Sequence, residues 1–350
     1  MYVGVERGGN IKSESLIKDK RFWNCTMSAA GLIIEHGQIG GKTTTKLRPV
    51  VPKGKRTLAE QLVLEFKSHI KKKRDKGYHR PDETPPVKTL PMLAHEYDAT
   101  RIQFPNALQE KLNGVRCVAQ KRNGIVKLTG KKGLEITSMD HIVRECELHM
   151  AEGATWDGEI FNRHYSLQQI SGMVRRKEYR QDHRVLEYWV YDRPDQGTFR
   201  ERFMDRRFPE TNILRKVPTF MCHNMEALDD YYNSIVNQGG EGIIIRVLDS
   251  LYQWDKRPWD CMKRKDFKDS EFRIIGFKRD VDGCVIWVCE IKPYGDYFDV
   301  VPMGTKESRK ISDEEGQAIM GEYLTVRYSE LSDDGIPQGN PVGLCIRNYE

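Results

Sequence analysis

The chain has 350 residues, 38% hydrophobic and 31% charged, a length that suits two or three domains of roughly 100 to 200 residues each. That balance excludes bulk disorder and collagen-like repeats. No apolar run approaches the roughly 20 residues that span a bilayer, and no signal-peptide core opens the chain, so a cytoplasmic protein without membrane partners is expected.

The formal net charge of +6 is unevenly placed: the segment from Lys42 to Arg80 carries +10, and the remainder −4. A basic segment beside a mildly acidic remainder points to a polyanion-binding module attached to something with another task. Two β-like runs, Arg21 to Met27 and Gly31 to Glu35, precede a glycine-rich turn at His36 to Gly41. A helix is expected from Leu58 to Arg74, with Leu62, Phe66 and Ile70 extending an apolar face from Leu58 and lysines on the back. Lys42, Lys46, Lys53, Lys55, Arg56, Lys71 and Lys72 are the expected nucleic-acid contacts. The prolines between Asp82 and Pro91 mark a linker.

Beyond it, residues 91 to 268 alternate strand-like and helical runs; CVAQK, IVKLTG, ATWDGEIF, LEYWVYD and EGIIIRV read as strands. The tail holds EFRIIGF, CVIWVCEIK, YFDVVP, EYLTVRY and VGLCIR, with Asp282-Gly283 and Asp334-Gly335 as hairpin turns. Five short strands in about eighty residues suit a small barrel such as an OB-fold. An α+β multidomain chain is expected, with a basic module over 1–85, a central domain over 91–268 and a barrel over 269–350.

Two phosphate- or metal-like strings are decoys. GQIGGKTT has His36 where a phosphate loop needs its first glycine, and Asp280 to Gly283 lacks the later acids of a calcium loop. The eight cysteines form no CxxC pair, so buried thiols are expected rather than zinc or disulfides.

The chemistry-bearing residues come in order: Lys111-Leu112-Asn113-Gly114-Val115-Arg116, then Asp157-Gly158-Glu159, Tyr191-Asp192, Glu241-Gly242 followed by three isoleucines and Arg246, and Lys263-Arg264-Lys265. An attacking amine, carboxylates for a hard metal and cations for a leaving polyphosphate are what phosphoryl transfer requires. A lysine attacks only as its neutral amine, which burial and nearby cations favour.

The order KxxGxR, DGE, aromatic-Asp, EG with aliphatics, and KxK resembles the covalent nucleotidyltransferase superfamily, most closely its ATP-dependent DNA ligases, including compact phage-type enzymes. Pro91-Met92-Leu93-Ala94 resembles the segment that opens their catalytic domain. The resemblance implies ATP-grasp-like antiparallel sheets with helices followed by an OB-fold. It implies ATP and Mg2+ as cofactors and a monomer acting on nicked double-stranded DNA in replication or repair. It makes Lys111 the nucleophile that receives AMP. Gln109 is placed at the adenine edge, Tyr191 and Ile244 on its two faces, and Arg116, Lys131 and Arg246 at the nucleotide. Glu159 and Glu241 are placed at ribose and magnesium, and Lys263 and Lys265 at the phosphates. Arg116, Lys263 and Lys265 are thereby expected beside Lys111.

Asn113 stands where the family usually has Asp, and Lys131 where it has arginine. An RNA ligase, or a non-catalytic DNA-end-binding protein on a ligase scaffold, are the alternatives; the β-rich tail favours DNA. The N-terminal block, with Phe22-Trp23, the Glu35 to Gly40 turn and Lys76-Gly77-Tyr78, resembles a WGR domain, although His36-Gly37-Gln38 replaces the tryptophan-glycine-arginine itself.

Overall fold

The computed structural model describes residues 12–84, 90–194, 197–291 and 295–347; residues 85–89 of the proline-rich linker lie outside these. The chain divides into two compact units, Met1–Thr89 and Leu90–Glu350.

In the first unit, β1 (Ser13–Lys18), β2 (Arg21–Ser28), β3 (Gly31–Gln38) and β4 (Thr43–Arg48) form an antiparallel meander. Helix α1 (Leu58–Asp75) packs on β2 and β3. Alternation along β2 sends Trp23, Cys25 and Met27 inward, where they meet Leu16, Leu32 and Phe66. A Thr57/Glu60 capping box starts α1, and Lys72, Lys73 and Arg74 complement its C-terminal dipole. The turn expected at His36 to Gly41 begins later, because His36, Gly37 and Gln38 remain paired with β2 and β3 ends at Gln38. Leu58 departs from the expected apolar face: it is 46% exposed, while Gln61 in the same turn is 3% exposed and donates to Glu65.

The second unit starts with two five-stranded sheets. The first, ordered β11-β10-β9-β7-β8, uses β7 (Val115–Arg122), β8 (Ile125–Thr129), β9 (Thr155–Phe161), β10 (Glu187–Asp192) and β11 (Leu214–Lys216). The second, ordered β12-β6-β13-β14-β5, uses β5 (His95–Glu96), β6 (Asn106–Glu110), β12 (Thr219–Cys222), β13 (Gly242–Val247) and β14 (Cys261–Lys265). Helices α2 (Asp140–His149) and α3 (Leu167–Val174) contact the first sheet and α4 (Met225–Asn237) the second. Cys117, Ile160, Tyr188 and Phe199 sit in the larger core, and Leu108, Leu228 and Ile243 in the smaller.

Asp266 and Phe267 alone join β14 to β15 (Lys268–Arg279). With β16 (Val285–Ile291), β17 (Asp296–Pro302), β18 (Tyr323–Tyr328) and β21 (Val342–Arg347), β15 closes a five-stranded barrel, ordered β15-β16-β17-β21-β18. The short α5 (Asp313–Ala318) precedes β18. A small hairpin, β19 (Glu330–Leu331) with β20 (Pro337–Gln338), interrupts the path from β18 to β21. Its turn holds Asp334-Gly335, with Gly335 at φ +76°; the Asp282-Gly283 pair likewise turns between β15 and β16, with Gly283 at φ +82°. Seven cysteines are buried and Cys345 is exposed. Among the described residues no helix is long and apolar enough to cross a membrane.

Candidate active site

Lys111 stands where the chain leaves one sheet for the other. It follows β6 of the second sheet, and Leu112 to Gly114 carry the backbone to β7 of the first. Its backbone N–H donates to the Gly242 carbonyl at 2.9 Å, which ties the crossing to β13. The crossing leaves no room for a side chain at its glycines. A Cβ at Gly114 would lie 2.4 Å from the Ile160 carbonyl oxygen and 2.8 Å from Glu159 Cγ. At Gly242, where φ is +143°, it would lie 2.1 Å from the Arg264 oxygen. The glycines of the KxxG and EG motifs are therefore demanded by strand approach. Gly114→Ala should destabilise the protein by about 1–3 kcal/mol, measured by denaturant unfolding, and should displace Glu159.

Carboxylates surround the amine. Lys111 Nζ donates to Glu241 Oε2, and the two side chains are 22% and 17% exposed. Lys265 Nζ lies 3.4 Å from the other Glu241 oxygen and donates to Ser329 Oγ at 2.7 Å. Glu159, on β9, has its carboxyl pushed up to about 8: burial raises it, Lys111 and Arg116 pull it back, and Asp157 and Glu241 add to the rise. Of the cations expected beside Lys111, Lys265 shares its carboxylate partner and Arg116 acts with it on Glu159, while Arg116 itself bonds Asp157 and Lys263 bonds Glu96 at 2.8 Å.

Those other cations form a second group. Arg116 grips Asp157 through Nε at 3.0 Å and Nη2 at 2.5 Å. Burial works against the charge on Arg116, but Asp157 together with Tyr191 and Tyr252 outweighs it and holds its pKa well above the ordinary value. Tyr252 Oη donates to the same carboxylate at 2.6 Å and accepts from the Met92 backbone N–H at 3.0 Å. The Lys131 pKa is lowered by burial first, then by Arg116, Lys263 and Arg257, while Glu159 pulls it back.

Strand register aligns the remaining residues. Gln109, Ile244 and Lys263 stand opposite one another across β6, β13 and β14. Arg116, Glu159 and Trp189 do the same across β7, β9 and β10. Gln109 is 1% exposed. Its amide donates to the Tyr191 carbonyl at 3.1 Å and to Thr219 Oγ1 at 3.0 Å, and accepts from Arg246 Nε at 3.1 Å. Gln109 thereby holds Tyr191 and Arg246 in place. The Tyr191 ring lies 5.5 Å from the Arg116 guanidinium and 5.7 Å from that of Arg246.

Sequence reasoning gave no individual role to Asp157 and Asp192 and did not reach Arg202, Tyr252 and Arg257. Asp157 and Asp192 were present inside the motifs, but their arginine partners are set by tertiary contact alone. Among the described residues no three His, Cys, Asp or Glu side chains gather as metal ligands. Glu159 and Glu241 offer the one or two carboxylates that Mg2+ uses when substrate phosphates complete its shell. The predicted polyanion contacts Lys42, Lys46, Lys53, Lys55, Arg56, Lys71 and Lys72 are all exposed on the first unit.

Beside Lys111 opens a cavity of about 1070 Å3, floored by Lys111 and Glu241 and bordered by Asn113, Arg163, Ser166 and Glu330. The fold of the chain is similar to that of a Lig E DNA ligase, described as binding DNA with a minimal scaffold. The TM-score is 0.61 at 19% identity, over 75% of this chain and 100% of that one. It is also similar to Pmar-Lig_PreS3, with a TM-score of 0.63 at 17% identity, over 81% of this chain and 72% of that one. No curated protein matches the chain. Residues 91–265, half of the chain, match the family described as the ATP dependent DNA ligase domain, and the chain belongs to that family.

Proposed function

We propose that this protein seals nicks in double-stranded DNA between a 3′-hydroxyl and a 5′-phosphate, using ATP and passing through AMP bonded to Lys111. The observation that carries the reading is the position of Lys111 at the sheet crossing, with Glu241 bonded to its amine and Glu159 close enough to feel its charge. Lys111 Nζ attacks the α-phosphate and pyrophosphate leaves. The AMP then passes to the 5′-phosphate of the nick, and the 3′-hydroxyl displaces it. Tyr191 and Ile244 flank the adenine, and Gln109 orients that wall. Arg116, Lys131 and Arg246 position the nucleotide, while Lys263 and Lys265 receive the charge that builds on the phosphates. Glu159 and Glu241 would hold Mg2+, which when bound neutralises charge on the triphosphate.

The domains are read as a WGR-like DNA-binding module over 1–85, an adenylation domain over 91–268 and an OB-fold over 269–350, acting as a monomer. The exposed basic residues of the first unit support that reading of the module. Replacing Lys46, Lys53, Lys55 and Arg56 by Ala should flatten the log–log salt dependence of nick binding, by about 0.9 for each phosphate that is no longer neutralised. Self-adenylation of the variant should persist. Fluorescence anisotropy across a salt series measures the first, and intact mass the second.

A duplex carrying one nick, incubated with ATP and Mg2+, should yield a continuous strand on a denaturing gel. Absence of product on an all-DNA nick, with product when RNA flanks it, would assign the protein to the RNA-sealing alternative that Asn113 motivates.

A further inference from the structure

The barrel reaches back to the nucleophile through its smallest element. Four polar contacts join Ser329 and the β19–β20 hairpin to residues around Lys111. Asn113 Nδ2 donates to Glu330 Oε2 at 2.6 Å, and Lys265 Nζ to Ser329 Oγ at 2.7 Å. Ser166 Oγ donates to Asp333 Oδ2 at 2.9 Å, and Gln168 Nε2 to Asp334 Oδ2 at 3.2 Å. Three of the four acceptors on the hairpin side are carboxylates. Their donors are two amides and a hydroxyl, and Ser166 is also the N-cap of α3. The cavity between the two faces is further lined by Arg163, Arg175 and Lys268. Donors of this kind serve phosphate oxygens as readily as carboxylate oxygens.

The residue at 113 decides whether such docking can occur. An aspartate there would set a second carboxylate against Glu330, and like charges at hydrogen-bond distance repel. Asparagine turns the same position into a donor, two residues from the nucleophile.

We infer that the β19–β20 hairpin is an acidic clasp that occupies a phosphate-recognising surface around Asn113, Ser166 and Gln168, so that it and a polynucleotide backbone compete for the mouth of the Lys111 cavity. The clasp rests on the nick-sealing reading for the identity of its competitor. The docking itself does not. Ile244 and Lys263, which the nick-sealing reading sets at the nucleotide, lie outside the lining of this cavity. The polynucleotide must wait for the hairpin to leave. Only the unclasped fraction binds, and apparent affinity falls by that fraction.

The test uses the full chain with Glu330, Asp333 and Asp334 all replaced by Ala, beside a control in which three exposed barrel acids away from the cavity, Asp296, Asp299 and Asp313, are replaced instead. Binding is read by anisotropy with a nicked duplex ending in a 3′-dideoxynucleotide, without ATP, and compactness by small-angle scattering. The clasp variant should bind roughly tenfold more tightly than the parent, as expected if about one molecule in ten is unclasped, and its radius of gyration should rise. The control should do neither. Equal tightening in both variants would reduce the effect to net charge and overturn the clasp, as would a clasp variant unchanged in both readouts. Should the parent and both variants fail to bind nicked DNA, the nick-sealing reading falls. Scattering then still decides the clasp, an unchanged radius of gyration overturning it.

Discussion

Replacing Lys111 by alanine should abolish covalent labelling with AMP while leaving the fold intact. Lys111 Nζ is partly exposed, at 22%, in the lining of the cavity, and is bonded to Glu241. Incubation with ATP and Mg2+ followed by intact-mass measurement should add one adenylate to the parent and none to Lys111→Ala. The loss should be complete because an alanine side chain offers no nucleophile. Arginine at 111 should also fail, since its guanidinium stays protonated. Thermal unfolding of Lys111→Ala should stay close to the parent, because Lys265 still partners the Glu241 carboxylate. A Lys111→Ala protein that still acquires AMP would remove the proposed mechanism altogether.

Asp192→Ala should be among the most destabilising substitutions in the chain, by about 3–5 kcal/mol. The Asp192 side chain is 0% exposed and accepts from Arg202 at 2.8 and 3.0 Å and from Arg246 at 2.9 Å. Arg202 is itself 0% exposed and also donates to the Ser250 carbonyl at 2.5 Å. Removing the carboxylate strands two guanidinium groups inside the protein, and water cannot replace what they lose. The damage should then spread, because Arg246 also orients Gln109, and Gln109 holds the Tyr191 backbone. Urea unfolding measures the first effect and ATP-dependent labelling the second. Asp299→Ala, which breaks the exposed pair with Lys278 at 2.8 Å, should change stability by less than about 1 kcal/mol. Similar losses in the two variants would contradict the buried network.

The strands that could be read directly are those whose alternation is strong. β9, β10, β13 and the five barrel strands are rich in branched and aromatic residues, and the structure puts each within a residue or two of its expected span, except that β15 is longer at both ends. Strands held mainly by partners were invisible. β6, with the sequence NALQE, has no β-branched residue, yet it becomes an interior strand because β12 and β13 pair on either side. β14, with CMKRK, reads as a solvated charge cluster until β13 supplies the ladder. β1 and β4 are equally polar and lie at the edges of their sheet. The motifs themselves were legible because glycine and charge occur together at strand ends, a combination that ordinary packing does not call for. What lay beyond reach was the division of labour among the cations. Which carboxylate each one meets depends on contacts such as Arg116 with Asp157, 41 residues apart, or Arg202 with Asp192, enclosed by a third segment.

The two residues joining β14 to β15 set a mechanical condition on any excursion of the barrel. Both neighbouring strands are locked into ladders, so the torsions that reorient the barrel are concentrated at Asp266 and Phe267. Lys265 is the residue immediately before this pivot, and its ammonium lies 5.1 Å from the Phe267 ring. Swinging the barrel away would pull Ser329 from that ammonium and loosen its hold on Glu241, which also binds Lys111. Leverage at a two-residue joint would in this way reach the Lys111 amine through Lys265 and Glu241.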